Sequence, residues 1–123
     1  EKSYWASPVL QKKNIHEILC TALEQARDTV LPRVELRRLF KPFVEDELPG
    51  MVKNSVALCA HPSATQPCPR QIDRTALCAV GPEGGFIQDE IDSLLRCGFI
   101  PVCLGERILT VEQAVCTVCA RLC

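Results

Sequence analysis

Residues 79–86 read AVGPEGGF, in which an apolar run ends in three glycines and a proline before the acidic segment IQDEIDSLL begins. Glycine loses more backbone entropy on folding than any other residue, so a cluster of glycines favours a sharp bend or a close approach to another group. The stretch lacks both G-x-G-x-x-G and the G-K-[ST] ending of a phosphate-binding loop. We therefore predict either a tight strand-to-helix turn or a loop that lies flat against a ligand.

Three short apolar runs in the second half of the chain, SVALCAHP, RTALCAVG and FIPVCLG, each end at a proline or glycine. Continuous apolar character without alternation is typical of parallel strands that are covered on both faces. An amphipathic helix is predicted from Gln88 to Cys97, with Gly98 as its left-handed stop. A last helix, VEQAVCTVCARL, is predicted to be capped by Thr110 and Gln113.

The predicted fold class is therefore α/β, with a mostly parallel sheet flanked by helices. The loops HP at 61–62, GPEGG at 81–85 and LGERIL at 104–109 would share the carboxyl edge of that sheet. Open α/β sheets bind ligands at this edge, so a small-molecule site is predicted there.

The first half of the chain is less regular. A helix is predicted from Asn14 to Ala26, with Asn14 as N-cap and Glu17 closing a capping box. A short strand is predicted at 33–36, and the acidic residues 45–47 fit solvated surface or a first helical turn. HPSATQPCPR at 61–70 is predicted to be a surface loop. Three basic residues could form a solvated edge or a phosphate-contacting patch: Arg37, Arg38 and Lys41.

Net charge, apolar runs and cysteines limit which classes of function this chain can have. The 123 residues carry 14 Lys+Arg against 15 Asp+Glu, a net charge of -1, so bulk charge gives no signal for nucleic-acid binding. No apolar run reaches the ~18 residues of a membrane span. The nine cysteines mostly lie in apolar runs, as buried thiols in a reducing compartment would, so a cytoplasmic location is expected. Cys116, Cys119 and Cys123 fall on one face of the last helix, where core packing is favoured over zinc binding, and no metal is expected.

The stretch AVGPEGGFIQDEIDSLLRCGFIPVCLGERIL at 79–109 resembles the signature of SPOUT-class methyltransferases that act on N3 of a uridine in 16S ribosomal RNA. The segments LEQARDTVLPRV, FKPFVEDELP and AHP also fit this family. The resemblance covers almost the whole chain but only the C-terminal methyltransferase domain of the family. Residues 1–123 are accordingly expected to be one such domain, N-terminally truncated, without the RNA-binding β-barrel domain and first strand.

The resemblance implies that the chain binds S-adenosylmethionine in a C-terminal deep trefoil knot and acts on 16S ribosomal RNA. It also implies a homodimer whose active sites borrow residues across the interface. The cofactor would be held largely by main-chain groups, with glycines where a side chain would fill its space. The implied cofactor-binding residues are His61, Pro62, Val80, Gly81, Pro82, Glu83, Gly84, Gly85, Leu104, Gly105, Arg107, Ile108, Leu109 and Thr110.

Arg107 is the candidate catalytic residue, because a cation there could stabilise the uridine anion that forms when N3 loses its proton. Its alternative role is an ion pair with Glu106 or Glu83. Arg27 and Arg107 are the candidate RNA-binding residues, although Arg27 would equally stabilise a helix C-terminus. Glu83 and Glu112 are possible general bases, and neither is favoured.

The chain departs from the family pattern after RIL, where Thr110 and Gln113 replace the usual arginine and threonine. This difference keeps a second hypothesis open, in which the chain is a catalytically silent, knotted fragment that binds RNA or a partner. A third hypothesis, a nucleotide-binding α/β domain, has no motif to support it.

Overall fold

Three short strands form a parallel sheet in the order β2-β1-β3, and they lie where the apolar runs predicted them. They are β1 (Val56–Ala60), β2 (Ala76–Val80) and β3 (Ile100–Val102). In this computed structural model, which describes residues 5–123, the chain divides into two units, Glu1–Leu39 and Phe40–Cys123. The sheet belongs to the second unit.

The central strand β1 is buried from both sides. Because successive side chains of a strand point to opposite faces, Cys59 packs in one cluster with Leu94 and Phe99, and Leu58 packs in another with Val102. Cys59 and Leu58 are 0% and 1% exposed. The prediction of strands that are covered on both faces is therefore confirmed for β1, whereas β2 is half-buried along its length and Ile100 of β3 is 42% exposed.

The second unit contains short helical turns and two longer helices, and the longer helices begin or end at the predicted capping residues. Two α-helical turns, α2 (Phe40–Pro42) and α3 (Leu48–Val52), flank the π-helical stretch Phe43–Glu47. Helix α4 (Gln88–Arg96) ends before Gly98, whose φ of 95° is left-handed as predicted. Helix α5 (Val111–Leu122) begins with a reciprocal capping box, in which Thr110 N–H donates to Gln113 Oε1 (3.2 Å) and Gln113 N–H donates to Thr110 Oγ1 (3.4 Å).

The loop after β1 was predicted to lie at the surface, but part of it is buried and hydrogen-bonded to the rest of the unit. Cys68 is only 3% exposed, and its N–H donates to the Cys103 carbonyl (2.9 Å), which adds a single parallel bridge beyond β3. Further along, the N–H groups of Gln71 and Ile72 donate to the carbonyls of Arg121 (2.9 Å) and Leu122 (3.1 Å). The loop therefore caps the last turn of α5, where helical carbonyls otherwise lack partners.

The first unit contains a 3-10 turn (Pro8–Leu10) and helix α1 (Lys12–Ala26). The prediction that Asn14 caps this helix is wrong, because the helix begins two residues earlier. The Asn14 side-chain amide instead donates to the Pro8 carbonyl (2.6 Å), so the preceding turn takes up the capping side chain.

The strand predicted at 33–36 is also wrong. These residues form no strand, because no other strand of the described chain pairs with them. The Glu35 carboxylate instead forms ion pairs with Arg33 and with Arg37 (Nη2 to Oε2, 2.7 Å). Lys41 Nζ lies 3.8 Å from Glu45 Oε1. These short-range pairs favour the solvated-edge interpretation of the basic residues. No helix between residues 5 and 123 combines the length and apolar character needed to cross a membrane.

Candidate functional site

The loops that follow the three strands meet at the carboxyl edge of the sheet and enclose a cavity of about 570 Å³. Small-molecule sites typically have volumes of about 300–1,000 Å³, so the cavity is large enough for one. Every residue that the sequence analysis assigned to cofactor binding lines it, from His61 to Thr110. The remaining lining residues were missed: Ala60, Ser63, Phe86, Val111 and Ala114.

The glycine loop bends for two different reasons. A Cβ at Gly81 would lie 3.1 Å from the Phe86 nitrogen and 3.2 Å from the Gly85 carbonyl carbon, so the loop folds back on itself there. Gly85 has a φ of 73°, in the left-handed region that favours glycine. At Gly84, by contrast, a Cβ would meet nothing within 4 Å. A Cβ at Gly85 would also meet nothing within 4 Å, so Gly84 and Gly85 both fit the expectation that glycine leaves space for a ligand, whereas Gly81 serves the bend itself.

His61 presents a defined tautomer at the cavity. Its Nδ1 lies 2.8 Å from the Ser63 hydroxyl and accepts from the Ser63 backbone N–H (3.3 Å). A backbone N–H can only donate, so we assign the proton of the neutral ring to Nε2. Within the described chain Nε2 has no hydrogen-bond partner, and this leaves one donor of His61 for a ligand. Ser63 has no motif of its own, and only its spacing of two from the histidine could have indicated it.

Arg107 is exposed and lines the cavity. It forms no ion pair within residues 5–123, so the alternative pairing with Glu106 or Glu83 is wrong. The guanidinium is therefore positioned at the cavity with its donors unused by the described protein. A group with five fixed N–H donors suits a ligand or substrate that carries negative charge.

The two candidate bases differ in position. Glu83 lines the cavity and Glu112 does not. Hydrogen bonds from its own backbone N–H and from the Thr110 side chain lower the pKa of Glu112 below its ordinary value. A lower pKa makes a weaker base, so Glu83 is the better placed of the two carboxylates.

Arg27 belongs to the first unit, where it ends helix α1. Its φ is 54°, and its N–H donates to the Glu24 carbonyl (3.4 Å). The Asp28 N–H donates to the Leu23 carbonyl (3.1 Å). Arg27 thus occupies the left-handed position of a helix C-terminus, and its contact with RNA stays a prediction.

The prediction that the cysteines of the last helix pack in the core is wrong. Cys116, Cys119 and Cys123 are all exposed, since α5 buries the opposite face through Ala114 and Val118. In residues 5–123 no cluster of His, Cys, Asp or Glu side chains is arranged to hold a metal ion. Among the cysteines of the apolar runs, the prediction of buried thiols is confirmed for Cys59, whereas Cys78 and Cys103 are only half-buried.

Comparison with known proteins identifies relatives among the ribosomal RNA methyltransferases. The chain is 33% identical over 109 residues to ribosomal RNA small subunit methyltransferase E of Buchnera aphidicola subsp. Schizaphis graminum, which covers 85% of the chain and 42% of that protein. The chain therefore spans about two-fifths of the length of this relative.

Two solved structures share the fold. A putative methyltransferase from Legionella pneumophila, in complex with the bound cofactor S-adenosylmethionine, is 32% identical with a TM-score of 0.67, over 85% of this chain and 43% of that one. Ribosomal RNA small subunit methyltransferase E from Neisseria gonorrhoeae, bound to S-adenosylmethionine, is 26% identical with a TM-score of 0.70, over 85% and 42%. The profile of the RNA methyltransferase domain matches residues 1–123. The chain therefore belongs to the RNA methyltransferase domain family, as the resemblance to the SPOUT-class enzymes predicted.

Proposed function

We propose that this chain binds S-adenosylmethionine in the cavity and forms the methyltransferase domain of a cytoplasmic enzyme that methylates N3 of a uridine in 16S ribosomal RNA. The observation that carries the proposal is the convergence of three strand-end loops, with all of the residues implied by the family resemblance, on one cavity. The relatives from Legionella and Neisseria, both solved with this cofactor, support the choice of ligand.

The residues at the cavity fit such a cofactor. The open space beside Gly84 allows a ligand to approach the main chain closely. Charged lining residues are confined to Glu83 and Arg107, which suits a ligand with both positive and negative groups. When bound, S-adenosylmethionine supplies a methyl group on a sulfonium, which leaves proximity and orientation as the main tasks of the protein. The loops at 81–85 and 104–109 would hold it.

In this proposal Arg107 stabilises the negative charge that develops on the uracil when N3 loses its proton. The support is its place at the cavity and the absence of an ion pair within residues 5–123. A positive group aimed at developing charge typically contributes a rate factor of about 10²–10³. We expect Arg107→Ala to lower the rate of methyl transfer at saturating S-adenosylmethionine by that order. Arg70→Ala, a change at another exposed arginine, is the matched control.

The direct test is incubation of labelled S-adenosylmethionine with small ribosomal subunits that lack the modification, followed by mass spectrometry of the digested RNA. We expect label in N3-methyluridine. Label in another nucleoside would contradict the assigned position. Cofactor binding without transfer would favour the second hypothesis, a catalytically silent protein that binds RNA or a partner. One observation favours this second hypothesis: Thr110, which replaces the family's arginine, is used as the cap of α5.

We also propose the trefoil knot of the family. Its support is the contact of the loop after β1 with the last turn of α5, made by the N–H groups of Gln71 and Ile72. A threaded helix cannot leave such a loop by local opening. We therefore expect refolding from denaturant to contain a slow phase that a truncation before α5 removes, and a single fast phase would contradict the knot.

We propose that the chain forms a homodimer through the outer face of α5. This face carries one charged residue, Glu112 in the first turn, and is otherwise mainly apolar, with Val115, which is 44% exposed, and with Cys116, Cys119 and Cys123. Such a face is self-complementary under two-fold symmetry. We expect thiol labelling of Cys116 and Cys119 to slow as protein concentration rises through the dimer Kd. Labelling that is independent of concentration, together with a monomeric mass in light scattering, would contradict this interface.

A further inference from the structure

Arg121, in the last turn of α5, reaches two loops of the sheet edge with one half-buried guanidinium. Its Nη2 donates to the Leu104 carbonyl (3.0 Å), and its Nη1 lies 3.5 Å from the Cys68 carbonyl. These carbonyls lie 17 and 53 residues from Arg121 in sequence, in the loops after β3 and β1. The planar guanidinium, with donors in a fixed fork, is suited to hold two acceptors in a set geometry.

The Leu104–Gly105 peptide is held at both of its edges. In a planar trans peptide the C=O and N–H groups point in opposite directions. Arg121 holds the carbonyl edge, and on the other edge the Gly105 N–H donates to Cys103 Sγ (3.4 Å). The Cys103 thiol in turn donates to the Gly105 carbonyl (3.0 Å). Without these contacts a glycine at this position would sample many backbone conformations.

Arg121 is itself anchored. Its own carbonyl accepts from the Gln71 N–H (2.9 Å), and the next carbonyl accepts from Ile72. The guanidinium is therefore fixed relative to the loop that it contacts, and a shift of α5 would be transmitted to the peptide that it holds. Leu104 and Gly105 both line the candidate cavity, whereas Arg121 does not.

We propose that Arg121 is a positioning residue, which fixes the orientation of the Leu104–Gly105 peptide and thereby preorganises the wall of the cavity for its ligand. The part that concerns ligand affinity depends on the proposed binding of S-adenosylmethionine. Preorganisation raises affinity because the loop is ordered before the ligand arrives. Loss of the guanidinium therefore weakens binding without removing any group that touches the ligand.

The test compares Arg121→Gln and Arg121→Lys with the unmodified chain and with the control Arg70→Gln. Arg70 is exposed, lies in the loop that Arg121 contacts, and has no side-chain partner in the described chain. The first readout is the NMR order parameter of the Gly105 amide in the absence of cofactor, with the Leu58 amide of β1 as internal reference. The second readout is the Kd for S-adenosylmethionine by calorimetry.

We expect the Gly105 order parameter to fall in Arg121→Gln from about 0.85 to below about 0.6, while Leu58 stays rigid. The Kd should rise about tenfold. Arg121→Lys should lie between the two, because an ammonium cannot present the same fork to both carbonyls. Arg70→Gln should change neither value.

A merely structural role predicts a lower unfolding midpoint with Gly105 as rigid as in the unmodified chain, and that result would overturn the proposal. A mobile Gly105 with an unchanged Kd would overturn its affinity part. A mobile Gly105 in a protein that binds no S-adenosylmethionine in any form would support the positioning role and remove the proposed function. Should Arg121→Gln fail to fold, the comparison of Arg121→Lys with the unmodified chain decides in the same way.

Discussion

Replacement of Gly81 by alanine tests whether the bend after β2 is closed by its own backbone. The new methyl group would lie 3.1 to 3.3 Å from atoms of Gly85 and Phe86, all of them main-chain atoms that cannot rotate away. Overpacking of this kind typically costs about 1–3 kcal/mol. Alanine also lowers the conformational entropy of the unfolded chain, which offsets about 0.4–1 kcal/mol of this cost. We therefore expect Gly81→Ala to lower the free energy of unfolding by about 1–2 kcal/mol.

Thermal unfolding by circular dichroism measures this change. For a chain of this length about 1 kcal/mol corresponds to about 4 °C, so the midpoint should fall by about 4–8 °C. Gly84→Ala is the matched control, since its methyl group meets nothing within 4 Å and its φ is not left-handed. It should leave the midpoint unchanged or slightly raised, and should weaken S-adenosylmethionine binding if that space belongs to the ligand. Equal midpoints for the two variants would refute the steric argument.

Three further predictions concern single side chains. Thr110→Ala removes the cap of α5 and should lower the free energy of unfolding by about 1 kcal/mol. It should also raise the pKa of Glu112, because the Thr110 hydrogen bond helps to lower it; a carboxyl titration by NMR that does not move would contradict this. Burial raises the pKa of the Cys59 thiol from 9.0 to about 11. The folded state favours the protonated thiol, so this contribution is complete below pH 9 and is lost as pH rises through 11, by about 3 kcal/mol. Burial also raises the pKa of Cys78 to about 11, so urea unfolding between pH 8 and 11.5 measures the Cys59 part as the difference between the unmodified chain and Cys59→Ala. The same pH dependence in both proteins would show that Cys59 is not sequestered. Ser63→Ala removes the hydroxyl near His61 Nδ1 but keeps the backbone N–H that donates to it, so the imidazole ¹⁵N spectrum should still show the proton on Nε2; a spectrum with the proton on Nδ1 would contradict the assigned tautomer.

The sequence predicted those parts of the fold whose signals are local. The apolar runs and their terminal Pro or Gly placed all three strands, and the Thr110–Gln113 pair predicted the capping box of α5. Where a distant or missing partner decides, the prediction failed. Asn14 does not cap the helix because its side-chain amide donates to the Pro8 carbonyl. Residues 33–36 form no strand because no strand among residues 5–123 pairs with them.

The site was predictable for the same reason. Loops at the ends of parallel strands must meet at one edge, so topology predicted that residues 61–62, 81–85 and 104–109 lie together, and the family resemblance added the individual residues up to Thr110. Two kinds of information were not available from it. Helix α5 is apolar on most of its surface, so periodicity did not show that Cys116 and Cys119 point outward. Arg121 contacts carbonyls that are remote in sequence. Because every residue has a backbone carbonyl, the sequence does not indicate which of them accepts a hydrogen bond.

The central claim is that main-chain loops at one edge of the sheet hold S-adenosylmethionine. Titration of the ¹⁵N-labelled chain with this cofactor, followed through the backbone amide signals, tests it most directly. We predict saturable shifts at 81–85 and 104–109 and at His61, with the amides of α1 unchanged. Saturable binding that leaves the glycine-loop amides unmoved, or no binding at millimolar cofactor, would contradict the account.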